Sequence, residues 1–299
     1  MSLPDSVLAS PEKNFTNKRI SGFDKLLRNP MGMLGLAIAV ALILSAIFAP
    51  LLAPYNPNVM DIPSKFQGPS ADHWLGTDQL GRDVLSKALY GGRIALGVAL
   101  LSTGLAVLLG ALLGMLAAMG ARWLDYFLTL GFDTVRAYPV IILALAIGPI
   151  FGAGMVTLIG LLVATSIPYY ARVMRSSILA QTNLDYVEAL RAMGAGRTRI
   201  VLRHILPNVI GPILIIASMD IPTFIAAEAG LSFLGVGVKP PTSSWGLMLD
   251  DGFRFVNHTP WLVFAGGLPL ILATLGFTFL GEALRDAFDP KLGKSVRKR

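Results

Sequence analysis

The stretch "DYVEALRAMGAGRTRIVLRHILPN", from Asp185 to Asn208, decides how the rest of the chain is interpreted. It contains four arginines, one histidine and two glycines, although the sequence on either side of it is strongly apolar. A basic segment between two long apolar regions is typical of a loop that joins two membrane-spanning helices on the cytoplasmic side. Its internal pattern indicates more structure than a simple connection needs.

This pattern predicts two short helices joined by a glycine turn. Thr182 or Asn183 can cap the first helix, and Asp185 would complete a weak capping box. Gly194, followed by a second glycine two residues later, predicts the turn because glycine adopts the left-handed conformation that ends many helices. A second basic helix is expected at about 198–203. Apolar residues recur at every third position of the first helix and would form a stripe along it: Leu184, Val187, Leu190 and Met193.

The composition places the chain in the membrane class. Hydrophobic residues make up 54% of the 299 residues and charged residues only 14%, whereas soluble domains carry roughly 25% charged residues. The mean hydropathy is +0.64. The sequence contains no cysteine, so disulfides, thiol catalysis and thiolate metal sites are excluded.

Apolar runs predict six membrane-spanning helices, since a span needs about 20 mostly apolar residues. The expected fold class is therefore an all-α integral membrane protein. Outside the spans we expect a cytoplasmic tail at 1–30, outer segments at 54–90 and 231–258, a basic loop at 182–204 and a basic tail at 284–299. The transmembrane domain covers 31–283, with spans at about 31–53, 91–120, 123–150, 155–178, 205–230 and 259–283.

The basic residues predict the orientation of these spans. Six spans put both termini on one side, and most of the 25 Lys and Arg residues lie in segments on that side. Because cytoplasmic loops carry an excess of Lys and Arg, this side is expected to be the cytoplasm. The net charge of +7 thus reflects topology, with no nucleic acid partner expected. The run Lys294 to Arg299 is expected to contact anionic lipid. A cytoplasmic location alone could explain the positive charge of the loop at 182–204.

The basic loop resembles a known motif. Glu188, Ala189 and Leu190 are followed by Gly194 and by an "ILP" run that ends at Pro207. This order is similar to the "EAA…G…I-LP" loop of permease subunits in bacterial binding-protein-dependent ABC importers. Leucine stands here at the third position of the motif, where alanine is usual.

Three further stretches resemble the C-type permease subunit of dipeptide, oligopeptide and nickel importers. They occur in the order found in that family and, with the loop, cover most of the chain after residue 30. The stretches are "HWLGTDQLGRDVLSKALYGGRIAL" at 73–96, "LSFLGVGVKPPTSSWGLML" at 231–249 and "LGEALRDAFDPKL" at 280–292.

The resemblance implies a type I ABC importer permease fold in the bacterial inner membrane. It implies half of a path for dipeptides or oligopeptides, and a loop at 182–204 that couples to an ATPase. The implied partners are a homologous B-type permease subunit, one or two cytoplasmic ATPase subunits and a periplasmic or lipid-anchored solute-binding protein. ATP and Mg would be bound by the ATPases and no cofactor by this chain, which would catalyse no reaction. Similar subunits carry nickel, glutathione or opines, so the solute stays open.

The stretch "GTDQLGRD" superficially resembles a phosphate-binding loop. Arg82 stands in place of the lysine that reaches the phosphates, and Asp83 in place of the hydroxyl residue that holds magnesium. We therefore expect no nucleotide there and instead a structural role, with Thr77 or Asp78 capping a short helix that enters the second span. The residues of interest in this motif are Gly76, Thr77, Asp78, Gly81, Arg82 and Asp83.

Four ionisable residues lie within predicted spans and are candidates for the translocation path. Such groups are costly in a bilayer and often functional. Two of them are three residues apart, so that they can either pair with each other or leave the arginine free to meet an anionic solute group. The candidates are Asp133, Arg136, Asp220 and Glu228.

Other functions find less support in the sequence. The three histidines, His73, His204 and His258, lack a second ligand at helical spacing, so no metal site is expected, and no nucleophile stands beside a base. A carrier driven by an ion gradient is the rival interpretation. It predicts polar relays repeated in two halves of the chain, and the four charges above show no such symmetry.

Overall fold

The computed structural model describes residues 26, 27 and 29–288. Most of the predicted tail at 1–30 lies outside the described residues, as does the tail from residue 289 onward with its run Lys294 to Arg299. The regular secondary structure of the described residues is helical. The helices are α1 Pro30–Ile47, α2 Ala49–Leu52, α3 Val84–Met119, α4 Arg122–Arg136, α5 Val140–Phe151, α6 Met155–Gln181, α7 Asp185–Ala192, α8 Arg197–Ile200, α9 Leu206–Phe233, α10 Trp245–Arg254 and α11 Trp261–Phe288.

The described residues contain five helical segments long and apolar enough to cross a membrane. Four of these are α1, α3, α6 and α11, and the fifth runs from α8 through α9. A sixth candidate is the pair α4 and α5, whose axes differ by 89°. The chain is therefore a multi-pass membrane protein.

The span expected over 123–150 is bent instead of straight. The first half, α4, ends at Arg136, and Pro139 stands at the N-cap of α5. Proline has no N–H to donate and disfavours helical geometry in the residue before it, so the helix stops at this point. At this bend, Val135 and Arg136 at the carboxyl end of α4 line a cavity together with residues of α6 and α9.

The second span begins earlier than expected, at Val84. Its N-cap is Asp83, whose carboxylate accepts a hydrogen bond from the backbone N–H of Ser86 at 2.8 Å. The expectation that Thr77 or Asp78 caps this helix is wrong, because both side chains are engaged within the preceding loop. At 36 residues, α3 is about 54 Å long.

Small residues allow α3 to pack closely against α6. A methyl group added at Gly110 would lie 2.6 Å from Cβ of Tyr170, and one at Gly114 would overlap the carbonyl oxygen of Ala171. Two glycines four residues apart let membrane helices approach until their backbones touch, which increases van der Waals contact where lipid supplies no hydrophobic driving force. This contact joins the two central helices of the bundle.

At the opposite end from α7, α10 is anchored to α3 and α9. The indole N–H of Trp245 donates to the carbonyl of Ala88 at 2.9 Å, and the indole ring covers Gly91. A methyl group at Gly246 would overlap the carbonyl of Ala229. These contacts hold the segment at 231–258 against the helical bundle.

We expect Gly114→Ala to weaken this packing. The added methyl group would overlap the backbone of α6, and such overpacking costs about 1 to 3 kcal/mol. The matched control is Gly104→Ala in the same helix, where the added methyl meets nothing within 4 Å and should be neutral or slightly stabilising. Thermal unfolding of the purified permease in nanodiscs measures both. Equal melting temperatures for the two variants would contradict the close contact.

Candidate functional site

The basic loop forms a compact knob at one end of the bundle. Of its apolar stripe, Val187 is fully buried and Leu190 half-buried, whereas Leu184 is 48% and Met193 74% exposed. Val187 therefore anchors α7 to the bundle, and the outer part of the stripe has no cover within the described chain. Glu188 and Ala189 are also exposed.

The turn after α7 has the geometry expected of glycine. Gly194 has a φ of 83°, and the turn is closed by N–H donation from Gly194 to the carbonyl of Arg191 at 2.9 Å and from Ala195 to that of Leu190 at 3.0 Å. The expected capping box is wrong. Thr182 ends α6 instead, with its hydroxyl donating to Leu179, and α7 begins after Leu184 with no side-chain cap.

The knob is joined directly to three long helices. It follows α6 and continues through α8 and a π-helical turn, Val201–Ile205, into α9. The second helix expected at 198–203 is thus replaced by a shorter α-helix and this turn, just before Pro207, which is exposed. Arg197 also donates to the carbonyl of Ala118 at the end of α3, at 2.8 Å.

A second feature is a cavity of about 420 Å³ beside the bend between α4 and α5. Arg136, Tyr169 and Asp220 line it together, contributed by α4, α6 and α9. Tyr170, next to the lining, donates its hydroxyl to Asp220 at 2.7 Å. An apolar cavity of about 310 Å³ continues from it and shares the lining residues Val140, Thr165, Ser166, Thr223 and Phe224.

The other two path candidates lie elsewhere. Asp133 forms an ion pair with Arg172 of α6. The predicted pair of Asp133 with Arg136 is therefore wrong, because the partner lies on the neighbouring helix and not one turn along α4. Glu228 is fully buried, and one carboxylate oxygen accepts from the hydroxyls of Ser232 and Ser244 at 2.8 Å each. Glu228 therefore ties α9 to the start of α10 and lines neither cavity.

The polar lining of the cavity of about 420 Å³ includes residues that the sequence analysis did not select. Tyr169 and the hydroxyls of Thr165 and Ser166 lie on α6. Their spacing of three and four residues places them on one side of a helix, and such a polar stripe within an apolar span could have identified them. Pro139 indicates a break in this span, but residues 123–150 alone do not show that Arg136 would face these side chains, because they lie on another helix.

The third feature is a buried charge cluster in the motif at 76–83. One carboxylate oxygen of Asp78 accepts from Arg82 Nε and Lys87 Nζ, each at 2.7 Å, and Lys87 also contacts Asp251 at 3.3 Å. Burial raises the pKa of Asp78, but the charge and hydrogen bond of Lys87, the charge of Arg82 and the backbone N–H of Leu80 together lower it more, so that the pKa lies below its ordinary value.

The rest of this motif shapes the loop around the cluster. Asp83 accepts hydrogen bonds from Ser86 and contacts His73 Nδ1 at 2.9 Å. The hydroxyl of Thr77 accepts from the N–H of Gln67. Both motif glycines have a φ of 73°: Gly76 and Gly81. The polar side chains of Thr77 and Asp83 are thus hydrogen-bonded to neighbours within the chain.

We expect Asp78→Asn to destabilise the segment at 54–83 strongly. Removing the carboxylate charge leaves the buried side chains of Arg82 and Lys87 with less opposite charge nearby, which lowers the free energy of unfolding by about 3 to 5 kcal/mol. Because the pKa of Asp78 lies below 3.8, its contribution is complete above that pH and lost as the pH falls through the lowered pKa. Melting temperatures at pH 7 and at lower pH test both points.

Asp250→Asn is the control for this prediction. Asp250 pairs with Arg254, whose side chain is 66% exposed, at the same end of the bundle, and exposed pairs contribute about 0 to 1 kcal/mol. A melting temperature for Asp78→Asn as high as that of this control at pH 7 would show that the cluster does not stabilise the fold.

The chain matches known families over most of its length. Residues 110–294 match the family described as "Binding-protein-dependent transport system inner membrane component", and residues 22–69 match the "N-terminal TM domain of oligopeptide transport permease C". The chain is 36% identical to a dipeptide transport system permease protein of Alkalihalophilus pseudofirmus over 97% of this chain and 96% of that one. It is 35% identical to a di/tripeptide transport system permease protein of Pseudomonas aeruginosa over 97% and 95%.

Solved structures show the same fold. A chain of the inward-facing MetNI methionine ABC transporter superposes with a TM-score of 0.55, covering 67% of this chain and 95% of that one at 20% sequence identity. The helical bundle described above is therefore the fold of a type I ABC importer permease.

Proposed function

The chain belongs to the family of binding-protein-dependent transport system inner membrane components and is a permease subunit of a peptide ABC importer, and from this premise we propose how it works. It forms half of a peptide path through the bacterial inner membrane, together with a homologous B-type subunit. One or two cytoplasmic ATPase subunits bind ATP and Mg and drive it. A periplasmic or lipid-anchored binding protein delivers the peptide, and this chain binds no cofactor.

The observation that carries this proposal is the cavity lined by Arg136 and Asp220. A peptide has an ammonium group and a carboxylate, and the cavity offers one group of each complementary charge. The hydroxyls of Thr165 and Ser166 add neutral hydrogen-bonding groups. The continuing apolar cavity can accommodate a side chain without contributing a specific polar contact.

The knob couples this cavity to the ATPases. It lies directly between α6 and α9, and these two helices supply Tyr169 and Asp220 to the cavity wall. A displacement of the knob therefore moves two walls of the cavity. Because a nucleotide shifts a conformational equilibrium only through different affinities for its two states, the ATPase must contact the knob differently in each state.

The orientation that we propose places both termini and the knob in the cytoplasm. The knob carries Arg191, Arg197, Arg199 and Arg203, in agreement with the excess of basic residues in cytoplasmic loops. The segments at 54–83 and 234–258 lie at the opposite end of the bundle and would face the periplasm, where the binding protein docks.

We expect Arg136→Leu to lower peptide uptake or alter peptide preference while the complex still assembles. The arginine forms no ion pair with a carboxylate among residues 26–27 and 29–288, so its loss leaves no buried partner unpaired. Asp133→Asn is the comparison, since it breaks the link to Arg172 without changing the cavity lining. Uptake into proteoliposomes that contain the whole transporter measures both. Normal transport of all peptides by Arg136→Leu would exclude it from the path.

We expect Gly194→Val and Glu188→Lys to abolish coupling but not membrane insertion. Valine is strained at a φ of 83°, by about 1 kcal/mol or more, and adds bulk beside the exposed Met193. Lysine at 188 reverses the charge offered to the ATPase. Gly196→Ala is the control, because Gly196 has a φ of −67° and an added methyl meets nothing within 4 Å.

Co-purification with the ATPase subunits and stimulation of ATP hydrolysis by loaded binding protein measure this coupling. The proposal requires both variants to lose one or both signals at normal abundance, with the control unchanged. Wild-type coupling in both variants would mean that the knob is only a cytoplasmic loop. Peptide uptake without ATP by the wild-type chain alone would instead support a carrier driven by an ion gradient.

A further inference from the structure

A polar pocket of about 540 Å³ lies at the end of the bundle opposite the knob. It contains Arg93 of α3, which precedes Ala118, the contact of the knob, by 25 residues or about 38 Å along the same helix. The pocket volume is typical of sites for small molecules. Its lining consists of Asn56, Pro57, Asn58, Tyr90, Arg93, Ile94, Thr242 and Ser243.

One positive charge and several neutral polar groups line this pocket. Arg93 is the single charged residue of the lining. It is exposed, and its guanidinium lies 5.7 Å from the centroid of the Tyr90 ring. It forms no ion pair with any carboxylate in the described part of the chain. The arginine is therefore available to bind an anion, and its planar donor array suits a carboxylate.

Ser243 is the second observation that points to a ligand. It is only 7% exposed, and its hydroxyl has no hydrogen-bond partner among the described residues. A buried hydroxyl left without a partner destabilises a protein, and each native example calls for an explanation. Ser243 belongs to the pocket lining, so a ligand that reaches this side chain with a hydrogen-bonding group would supply the missing partner.

The walls of the pocket are held in place before any ligand binds. On one side, Ser244 is hydrogen-bonded to Glu228, and Trp245 to the backbone of α3. On the other side, the N–H of Tyr55 donates to Ser86 at 3.2 Å, and the side chain of Asn56 accepts from the N–H of Asn58 at 3.0 Å. A pocket whose walls are already fixed loses little conformational entropy when a ligand binds.

We propose that this pocket binds the C-terminal carboxylate of a peptide at the outer mouth of the path. Arg93 holds the carboxylate, and the hydroxyl of Ser243 hydrogen-bonds to it or to the adjacent amide group. The inference rests on the proposed function, in which this end of the bundle receives peptide from the binding protein. An acidic side chain of the binding protein is the competing occupant, and the experiment separates the two.

The test uses the complete transporter in proteoliposomes and nanodiscs with its binding protein and a dipeptide. The variants are Arg93→Gln, Arg93→Lys, which keeps the charge, and Ser243→Ala. Arg254→Gln is the control, because Arg254 is an exposed arginine at the same end of the bundle. Three quantities are measured: peptide imported per ATP hydrolysed, affinity of the loaded binding protein for the transporter, and melting temperature.

We expect Arg93→Gln and Ser243→Ala to import about three- to tenfold less peptide per ATP, with unchanged binding-protein affinity and melting temperature. Arg93→Lys should retain most of the import, and the control should match wild type. The serine variant is decisive. If no ligand binds Ser243, removing its unpaired hydroxyl should leave import unchanged and the protein equally or more stable.

Three results would overturn the inference. Weaker docking of the binding protein to Arg93→Gln would show that an acidic residue of that protein occupies the pocket. A lower melting temperature, or loss of the second permease subunit, would show a structural role. Unchanged import by both variants would exclude a site. Failure of the proposed function is distinct, because wild type itself would then show no ATP-dependent peptide uptake.

Discussion

The close contact between α3 and α6 is the constraint on which the rest of the structure depends. Without side chains at Gly110 and Gly114, the two backbones meet at Tyr170 and Ala171. Tyr170 is fully buried by this contact, and its hydroxyl reaches Asp220 on α9. The packing of these two helices thus positions the carboxylate of Asp220 in the wall of the cavity of about 420 Å³, although neither glycine has a polar side chain.

This contact also makes α3 a rigid support that reaches both ends of the molecule. Near its start lies Lys87, within the buried charge cluster around Asp78, and near its end lies the carbonyl of Ala118, which accepts a hydrogen bond from Arg197 of the knob. By contrast, α4 contacts α6 at far fewer positions than α3 does, and this contact includes two hydrogen bonds of 2.6 Å each between Arg175 and Asp125. A motion that enters at the knob can therefore displace the bent pair of α4 and α5 with less loss of apolar packing than the separation of α3 from α6 would require.

Sequence reasoning predicted the features that depend on local pattern. The apolar runs predicted the helical membrane fold, the motifs predicted the permease family, and the glycine at 194 predicted a positive φ. It failed where tertiary neighbours decide. Spacing allowed Asp133 to pair with the residue three positions along, but a sequence window does not include Arg172 on α6. The cap of α3 was misplaced because several residues of the loop before it could serve, and the sequence did not show that the helix begins directly after Asp83.

The four charges within the predicted spans show why burial and location must be read together. Glu228 is fully buried and bound to two serine hydroxyls, so no solute can reach it, and its role is to hold α10. Asp133 is exposed but already paired with an arginine. Only Arg136 and Asp220 combine access to a cavity with hydrogen-bonding capacity that the described chain does not fully use. An ionisable group with unsatisfied hydrogen-bonding capacity is costly at membrane depth. Binding a solute of opposite charge offsets that cost. Groups that are accessible and incompletely hydrogen-bonded are therefore better evidence for a path than charge alone.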